Sequence, residues 1–249
     1  MKALITGASS GIGRDMARIL HKMGVELFLT ARRSELLTQL KQELDGKPEV
    51  IAMDLSDSQS CEELYQRLRG EKIDILINNA GFGVFGEFLD TSLRREMEMI
   101  DVNIKAVHTL TKLFLKDFES RDSGYILNVA SAAAFLPGPL MASYYAGKAY
   151  VQRLTLAIYE ELRKRGSNVR VSVLCPGPVD TEFNQVAGVK FGISALSSYK
   201  VAECAIKGLF KRKPVIVPGV KVRLGVFFQR FVPQKLLLKI SYWIQNSKS

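Results

Sequence analysis

The feature that most constrains this chain is an alternation. Short runs of residues that are apolar throughout recur along it, separated by segments whose apolar residues return every three or four positions. The runs are Ala3–Ile5, Val25–Leu29, Val50–Met53, Ile73–Ile77, Tyr125–Val129, Val169–Leu174 and Val215–Val217. Between them lie segments such as Asp15–Met23, Glu35–Leu44 and Cys61–Leu68, and a stripe of Val151, Leu154, Ile158 and Leu162 on one face of a longer helix. A strand without polar alternation is buried on both faces, and helices alternating with such strands cover a parallel sheet on both sides. The alternation therefore predicts an α/β fold: a doubly wound parallel sheet of about seven strands, in three layers, α/β/α. Long helices are expected near 91–117 and 144–165. No internal repeat, low-complexity tract or long linker divides the 249 residues, so one domain over 1–249 is expected.

Charge divides the chain where hydropathy does not. Of 35 lysines and arginines, ten fall in the last 46 residues, where there is no acid. The preceding 203 residues balance, 25 basic against 25 acidic. A neutral body with a basic tail points to a local partner for the tail, and it argues against nucleic-acid binding, for which no reader motif is present. Three dispersed cysteines and two histidines, His21 and His108, are a poor basis for a disulfide framework or a metal site. A reducing, cytoplasmic setting is expected. Ala3–Ile5 is too short for a signal-peptide core, and no long uncharged apolar stretch suggests a membrane span.

In a doubly wound sheet, ligands bind beyond the carboxyl ends of the strands. The residues standing there are consistent in kind. After the first strand comes Thr6-Gly7-Ala8-Ser9-Ser10-Gly11-Ile12-Gly13, a glycine-rich turn opening a helix. Such a turn lets backbone amides and the positive helix end approach a pyrophosphate. The second strand ends in Arg32-Arg33, with no acid to bind ribose hydroxyls. Two guanidinium groups suit a 2′-phosphate instead, which favours NADP(H). Asp54-Leu55 follows the third strand and Asn79-Ala80-Gly81 the fourth. Asp54 can accept from an adenine amino group or merely cap the next helix. Ser131 follows the fifth strand, and Tyr144 and Lys148 lie one helical turn apart. A phenol is too weak an acid for catalysis near neutral pH unless a neighbouring cation stabilises its phenolate. Ser131 is placed to hydrogen-bond a substrate oxygen. Tyr145 competes for the tyrosine role, but only Tyr144 has the right spacing to Lys148.

Together these motifs resemble the short-chain dehydrogenase/reductase family, in its NADP-dependent branch of about 250 residues, over roughly residues 2–182. That resemblance implies a Rossmann-like fold. It implies Tyr144 as the acid or base, Ser131 as the group polarising the carbonyl, and Lys148 as a holder of the nicotinamide ribose. Asn103 would support a water joining Lys148 to solvent. The residues implied to hold the cofactor are Gly7, Ser9, Ser10, Gly11, Ile12, Arg32, Arg33, Asp54, Leu55, Asn79, Ala80, Gly81, Tyr144 and Lys148. Pro176 and Gly177 join them, with Val179 and Thr181 near the carboxamide. The family often has glycine three residues after the asparagine, where this chain has Ala106, a departure expected to affect packing more than chemistry. Homodimers or homotetramers through the two long helices are also implied.

Residues 183–199 are expected to form a lid, with Phe183, Val186, Val189, Phe191, Ile193, Leu196 and Tyr199 as its apolar members and Gly188 and Gly192 as hinges. Phe82, Phe85, Phe135, Leu136 and Met141 flank the site from other loops. Collectively they favour an apolar carbonyl substrate. Pro233 should divide the tail, about 218–249, into two helices. Three readings of that tail stand open: helices that close the pocket or join subunits, a peripheral membrane contact, or a contact with an acidic carrier. The overall expectation is an NADPH-dependent carbonyl reductase acting on a small apolar molecule. The alternative is a cofactor-binding regulator or scaffold with a vestigial site. Epimerase or dehydratase chemistry on nucleotide sugars uses a similar tyrosine and lysine, but with another glycine spacing and an extra substrate domain.

Overall fold

Each of the seven apolar runs forms a strand, and the segments between them supply the covering helices. The computed structural model describes residues 1–188 and 195–246. In chain order its elements are β1 (Lys2–Thr6), α1 (Gly11–Lys22), β2 (Glu26–Ala31), α2 (Ser34–Glu43), β3 (Glu49–Ala52), α3 (Ser58–Leu68) and β4 (Ile75–Asn78). Then come α4 (Leu93–Ile100), α5 (Val107–Ser120), β5 (Tyr125–Val129), α6 (Ala142–Arg165), β6 (Arg170–Leu174), β7 (Val179–Asp180) and α7 (Phe183–Ala187). The chain continues through β8 (Leu196–Ser197), α8 (Ser198–Phe210), β9 (Val215–Ile216), α9 (Val220–Phe228) and α10 (Gln234–Asn246).

The main sheet has the order β3-β2-β1-β4-β5-β6-β9, and every pair is parallel. Successive strand residues enter opposite cores, as the two-residue period requires. Ala3, Ile5, Leu27, Leu29, Ile75 and Ile77 pack with Met16 and Leu20 of α1, Leu37 and Leu40 of α2, and Val201 and Leu209 of α8. Leu4, Phe28, Leu76 and Ile126 pack on the other face with Leu64 of α3, Leu110 and Phe114 of α5, and Leu162 of α6. This is the three-layer Rossmann-like arrangement. The winding reverses between β1 and β4, so the ends of those two strands open the crevice in which a ligand can lie.

Three details differ from the sequence expectation. The predicted helix over 91–117 is interrupted by a π-helical turn, Asp101–Ala106, between α4 and α5. Such π turns are inserted within α-helices, often at functional sites, and the apolar residues either side still read as one long helix. Ala106, where the family often has glycine, closes that turn and is buried against the α5 side of the core. The second difference is a small parallel pair, β7 with β8, whose two-residue strands carry no periodic signal. The third concerns the lid: Phe183 and Val186 lie in α7, Leu196 begins β8 and Tyr199 belongs to α8, while Val189, Phe191, Gly192 and Ile193 lie outside the described residues. The tail divides at Pro233 as expected, a short 3-10 turn (Gln229–Phe231) and Pro233 separating α9 from α10.

Candidate active site

The crevice begins with the turn after β1. Helix α1 starts at Gly11 with Ser10 as N-cap, and neither a capping side chain nor an acidic residue occupies its first turn. Its first backbone amides therefore have no side-chain partner and can be satisfied by an anion. Two glycines are there because the backbone comes too close for any side chain. A Cβ on Gly7, which has φ of +65°, would lie 2.7 Å from Ala80 Cα, and one on Gly13 would lie 2.4 Å from both Gly7 O and Asn79 Nδ2. The Asn79 amide donates to the carbonyls of Thr6 and Gly7 at 3.0 Å each, and Thr6 Oγ1 accepts from the amides of Asn79 and Ala80 at 3.0 Å. The loops after β1 and β4 are thus stitched into one floor.

At the far end of the floor, Arg32 is exposed and makes no ion pair among the described residues. Arg33 reaches Ser9 and Ser10 at 3.4 and 3.3 Å and forms a 2.6 Å ion pair with Glu182. The guanidinium holds Glu182 below the ordinary carboxylate range. Glu182 is a residue that the sequence reading missed. It searched for an acid only at the end of β2, whereas this carboxylate arrives from across the crevice, after β7. Asp54 lines the same end and accepts from Ser56 N at 3.0 Å, while the capping of α3 falls to Asp57. Leu55 and Ile12 complete this wall.

The other end is built around α6. Tyr144 and Lys148 are both buried, with Lys148 Nζ 5.8 Å from the Tyr144 ring centroid and donating to Val129 O at 2.9 Å. Burial brings the Lys148 ammonium down to about 8. Burial also pushes the Tyr144 phenol above its ordinary range, an effect that the Ser131 hydroxyl partly offsets. Burial acts against the lowering expected from the ammonium. Desolvation is the larger influence, and the lysine proton is directed at a backbone carbonyl. Burial thus favours the neutral form of the Tyr144 phenol.

Ser131 follows β5, its Oγ accepting from Ala133 N at 3.1 Å and facing Pro176 O at 3.5 Å. Asn103 stands behind the cavity wall rather than in it. Its side chain closes two bonds on the Phe82 backbone, accepting from Phe82 N at 3.1 Å and donating to Phe82 O at 2.8 Å. A Cβ on Gly81 would meet Asn103 Oδ1 at 2.7 Å and Lys148 Nζ at 3.4 Å, so Asn103 packs close beneath the lysine. The π turn presents it there.

A buried polar chain, also absent from the sequence reading, holds α6 to the sheet. Asn78 Nδ2 donates to Thr111 Oγ1 (3.0 Å) and Asn128 Oδ1 (2.9 Å), and Asn128 Nδ2 to Thr155 Oγ1 (3.0 Å). These are inward-facing residues of β4, α5, β5 and α6. Polar residues in otherwise apolar strands are the signal that could have found them.

One cavity of about 440 Å³ joins both ends. It is lined by Gly7, Ser9, Ser10, Gly11, Ile12, Arg32, Arg33, Asp54, Leu55, Asn79, Ala80 and Gly81, and then by Ser131, Tyr144, Lys148, Pro176, Gly177, Val179 and Thr181. All the expected residues are therefore brought together except Asn103. Of the expected apolar flank, Phe82, Met141, Phe183 and Val186 line the cavity. Phe85 and Leu136 instead pack against the adjoining core cluster, and Phe135 packs into another. The Phe183 ring lies 5.4 Å from that of Tyr144. Tyr145 also lines the cavity, but its hydroxyl is bonded by Gln245 of α10. The elongated groove, with amide donors and guanidinium groups at one end and a phenol, a hydroxyl and an ammonium at the other, fits a dinucleotide.

A family profile described as short chain dehydrogenase matches residues 1–190. The chain belongs to the short-chain dehydrogenases. As a member of that family it is an oxidoreductase that binds a nicotinamide cofactor. It is similar to the very-long-chain 3-oxoacyl-CoA reductase of Anas platyrhynchos, at 31% identity over 83% of this chain and 69% of that protein. Among solved structures it resembles a short-chain dehydrogenase from Sphingobium yanoikuyae in complex with NADPH (TM-score 0.83, 29% identity, 92% of this chain and 93% of that one). It also resembles a short chain dehydrogenase/reductase from Burkholderia phymatum in complex with NAD (TM-score 0.83, 26% identity, 92% of each chain).

Proposed function

We propose that this short-chain dehydrogenase reduces an apolar carbonyl compound with NADPH and oxidises the corresponding alcohol in reverse. The observation that carries the reading is the placement of Tyr144, Ser131 and Lys148 at one end of a groove whose other end is lined by Arg32 and Arg33. Bound there, a reduced nicotinamide supplies the hydride to the carbonyl carbon. The protein does the rest. Ser131 holds the carbonyl oxygen, and the Tyr144 hydroxyl gives it a proton as negative charge develops. The Lys148 ammonium, 5.8 Å from the Tyr144 ring centroid, stabilises the phenolate that remains. In reverse, the phenolate takes the alcohol proton.

The preference for NADPH rests on the two arginines. The Arg33–Glu182 pair is half exposed on both sides, and such surface pairs contribute only about 0–1 kcal/mol. A 2′-phosphate, which binds a guanidinium through two charge-assisted hydrogen bonds, can therefore displace Glu182. The preference for an apolar substrate rests on Phe82, Met141, Tyr145, Phe183 and Val186. The acyl substrate named for the duck relative is of compatible character. We read the assembly as a homodimer or homotetramer and the setting as cytoplasmic.

The test is a series of ketones and aldehydes of graded chain length, followed by nicotinamide absorbance with NADPH and with NADH. NADPH should be preferred by at least about tenfold in kcat/KM, and Arg33→Ala should remove most of that preference. Equal use of both cofactors, or turnover confined to short charged acids, would overturn the reading.

A further inference from the structure

The tail is built in the reverse of the usual sense. In α10 the inward face holds buried Ser241 and Gln245 beside half-buried Leu237 and Ile244, while Leu236, Ile240 and Trp243 are exposed, Trp243 by 73%. Leu236, Ile240 and Trp243 are spaced four and three apart, so they form one stripe, beside Lys235 and Lys239.

Helix α9 has two apolar faces. Val222 and Val226 turn toward the body, and Val222 packs on Gly177, where an added Cβ would lie 2.6 Å from its Cγ2. Val220, Leu224, Phe227 and Phe228, continued by Phe231, fall on the opposite side at 3.6 residues per turn and are exposed. Phe227 sits 5.3 Å from Phe228 and 5.7 Å from Phe231, ring to ring, and Phe231 is 72% exposed. By the same geometry Arg223 and Arg230 flank the stripe on one side and Lys221 on the other. None of these tail cations pairs with a carboxylate among the described residues, and residues 204–249 contain no acid.

We infer that this outward face of α9 and α10 is a docking surface for an anionic lipid bilayer. An aromatic stripe bordered by cations is the composition of a helix lying in a membrane interface, rings among the acyl chains and charges at the headgroups. No helix among the described residues is long and apolar enough to cross a membrane, so the contact is superficial. A second copy fits less well. A two-fold contact would set the same cations against each other with no tail acid to neutralise them. An acidic carrier protein would meet the charges but leave the aromatic stripe in water. Both helices are anchored on residues that line the cavity, α9 on Gly177 and α10 on Tyr145. The docking itself does not depend on the carbonyl-reductase reading, and its test involves no turnover.

Trp243 is the only tryptophan, so the intrinsic emission of the full chain reports on this surface. With phosphatidylcholine–phosphatidylglycerol vesicles the emission should shift to the blue and the protein should sediment with them; with phosphatidylcholine alone both effects should be weak. Each cation near the surface is worth about fivefold in partitioning, so R223E/R230E should bind at least about 25-fold more weakly. F227S/F231S should lose binding while keeping its melting temperature and cofactor affinity. An unchanged spectrum with anionic vesicles overturns the proposal, whatever the variants do. So does a blue shift that depends on protein concentration without lipid, which would indicate a second copy, or binding by both variants equal to the parent's.

Discussion

Residues 1–182 and residues 204–249 follow opposite rules. In the first, charge is nearly balanced, and glycines and polar side chains are explained by contacts around one groove: Gly13 by Gly7 O, Asn79 by Thr6 O, Asn103 by Phe82. In the second, charge is uniformly positive; Leu209 of α8 and Ile216 of β9 still belong to the core, but most residues of α9 and α10 are exposed, and Val222 and Gln245 are among the few there that engage the body. The body holds what is needed to place a dinucleotide against an acid, and the tail adds a surface and one wall. Chemistry should therefore be lost by small changes in the body and survive changes in the tail.

The largest test of that contrast is Lys148→Met. Losing the cation that stabilises the phenolate should lower kcat/KM by about 10²–10⁴-fold. Its pH profile tests the same point. A lysine whose pKa is lowered to about 8 by burial carries its charge below that pH and loses it above. In the parent, kcat/KM for reduction should fall as pH rises through about 8, and the variant should lack that limb. A variant within tenfold of the parent would break the account of the body.

Gly13→Ala comes next. Its new methyl must push apart Gly7 and Asn79, and overpacking of this kind costs about 1–3 kcal/mol. A matching loss of about 5- to 150-fold in cofactor affinity is expected by calorimetry. Unchanged affinity would mean that the two loops are not the cofactor floor. The smallest effect belongs to the tail. Gln245→Leu removes one hydrogen bond to Tyr145, about 1 kcal/mol, or roughly 2–4 °C in melting temperature. KM should move and kcat should stay. If kcat fell as in Lys148→Met, the division between body and tail would be wrong.

How much was legible in the sequence follows the same divide. Strands buried on both faces announce themselves as unbroken apolar runs, and the residues just past them define a ligand edge, so the sheet and its groove could be read. Asn103 could be named but not placed, because the π turn Asp101–Ala106 that carries it was read as part of one continuous helix. Glu182 was missed because the crevice brings together loops 149 positions apart in the chain, after β2 and after β7. The Asn78–Asn128–Thr155 chain forms no sequence motif because its members lie on three separate elements, yet they fix α6 and with it Tyr144. In the tail, composition showed charge and apolarity but not which face each would occupy.

The central claim is that the Tyr144 hydroxyl delivers the proton. Tyr144→Phe removes that hydroxyl and little else, and stopped-flow with NADPH separates binding from turnover. The account predicts cofactor affinity within about threefold of the parent and turnover reduced by about 10²–10⁴-fold at every pH. Turnover within tenfold of the parent, on any carbonyl substrate the parent reduces, would contradict it.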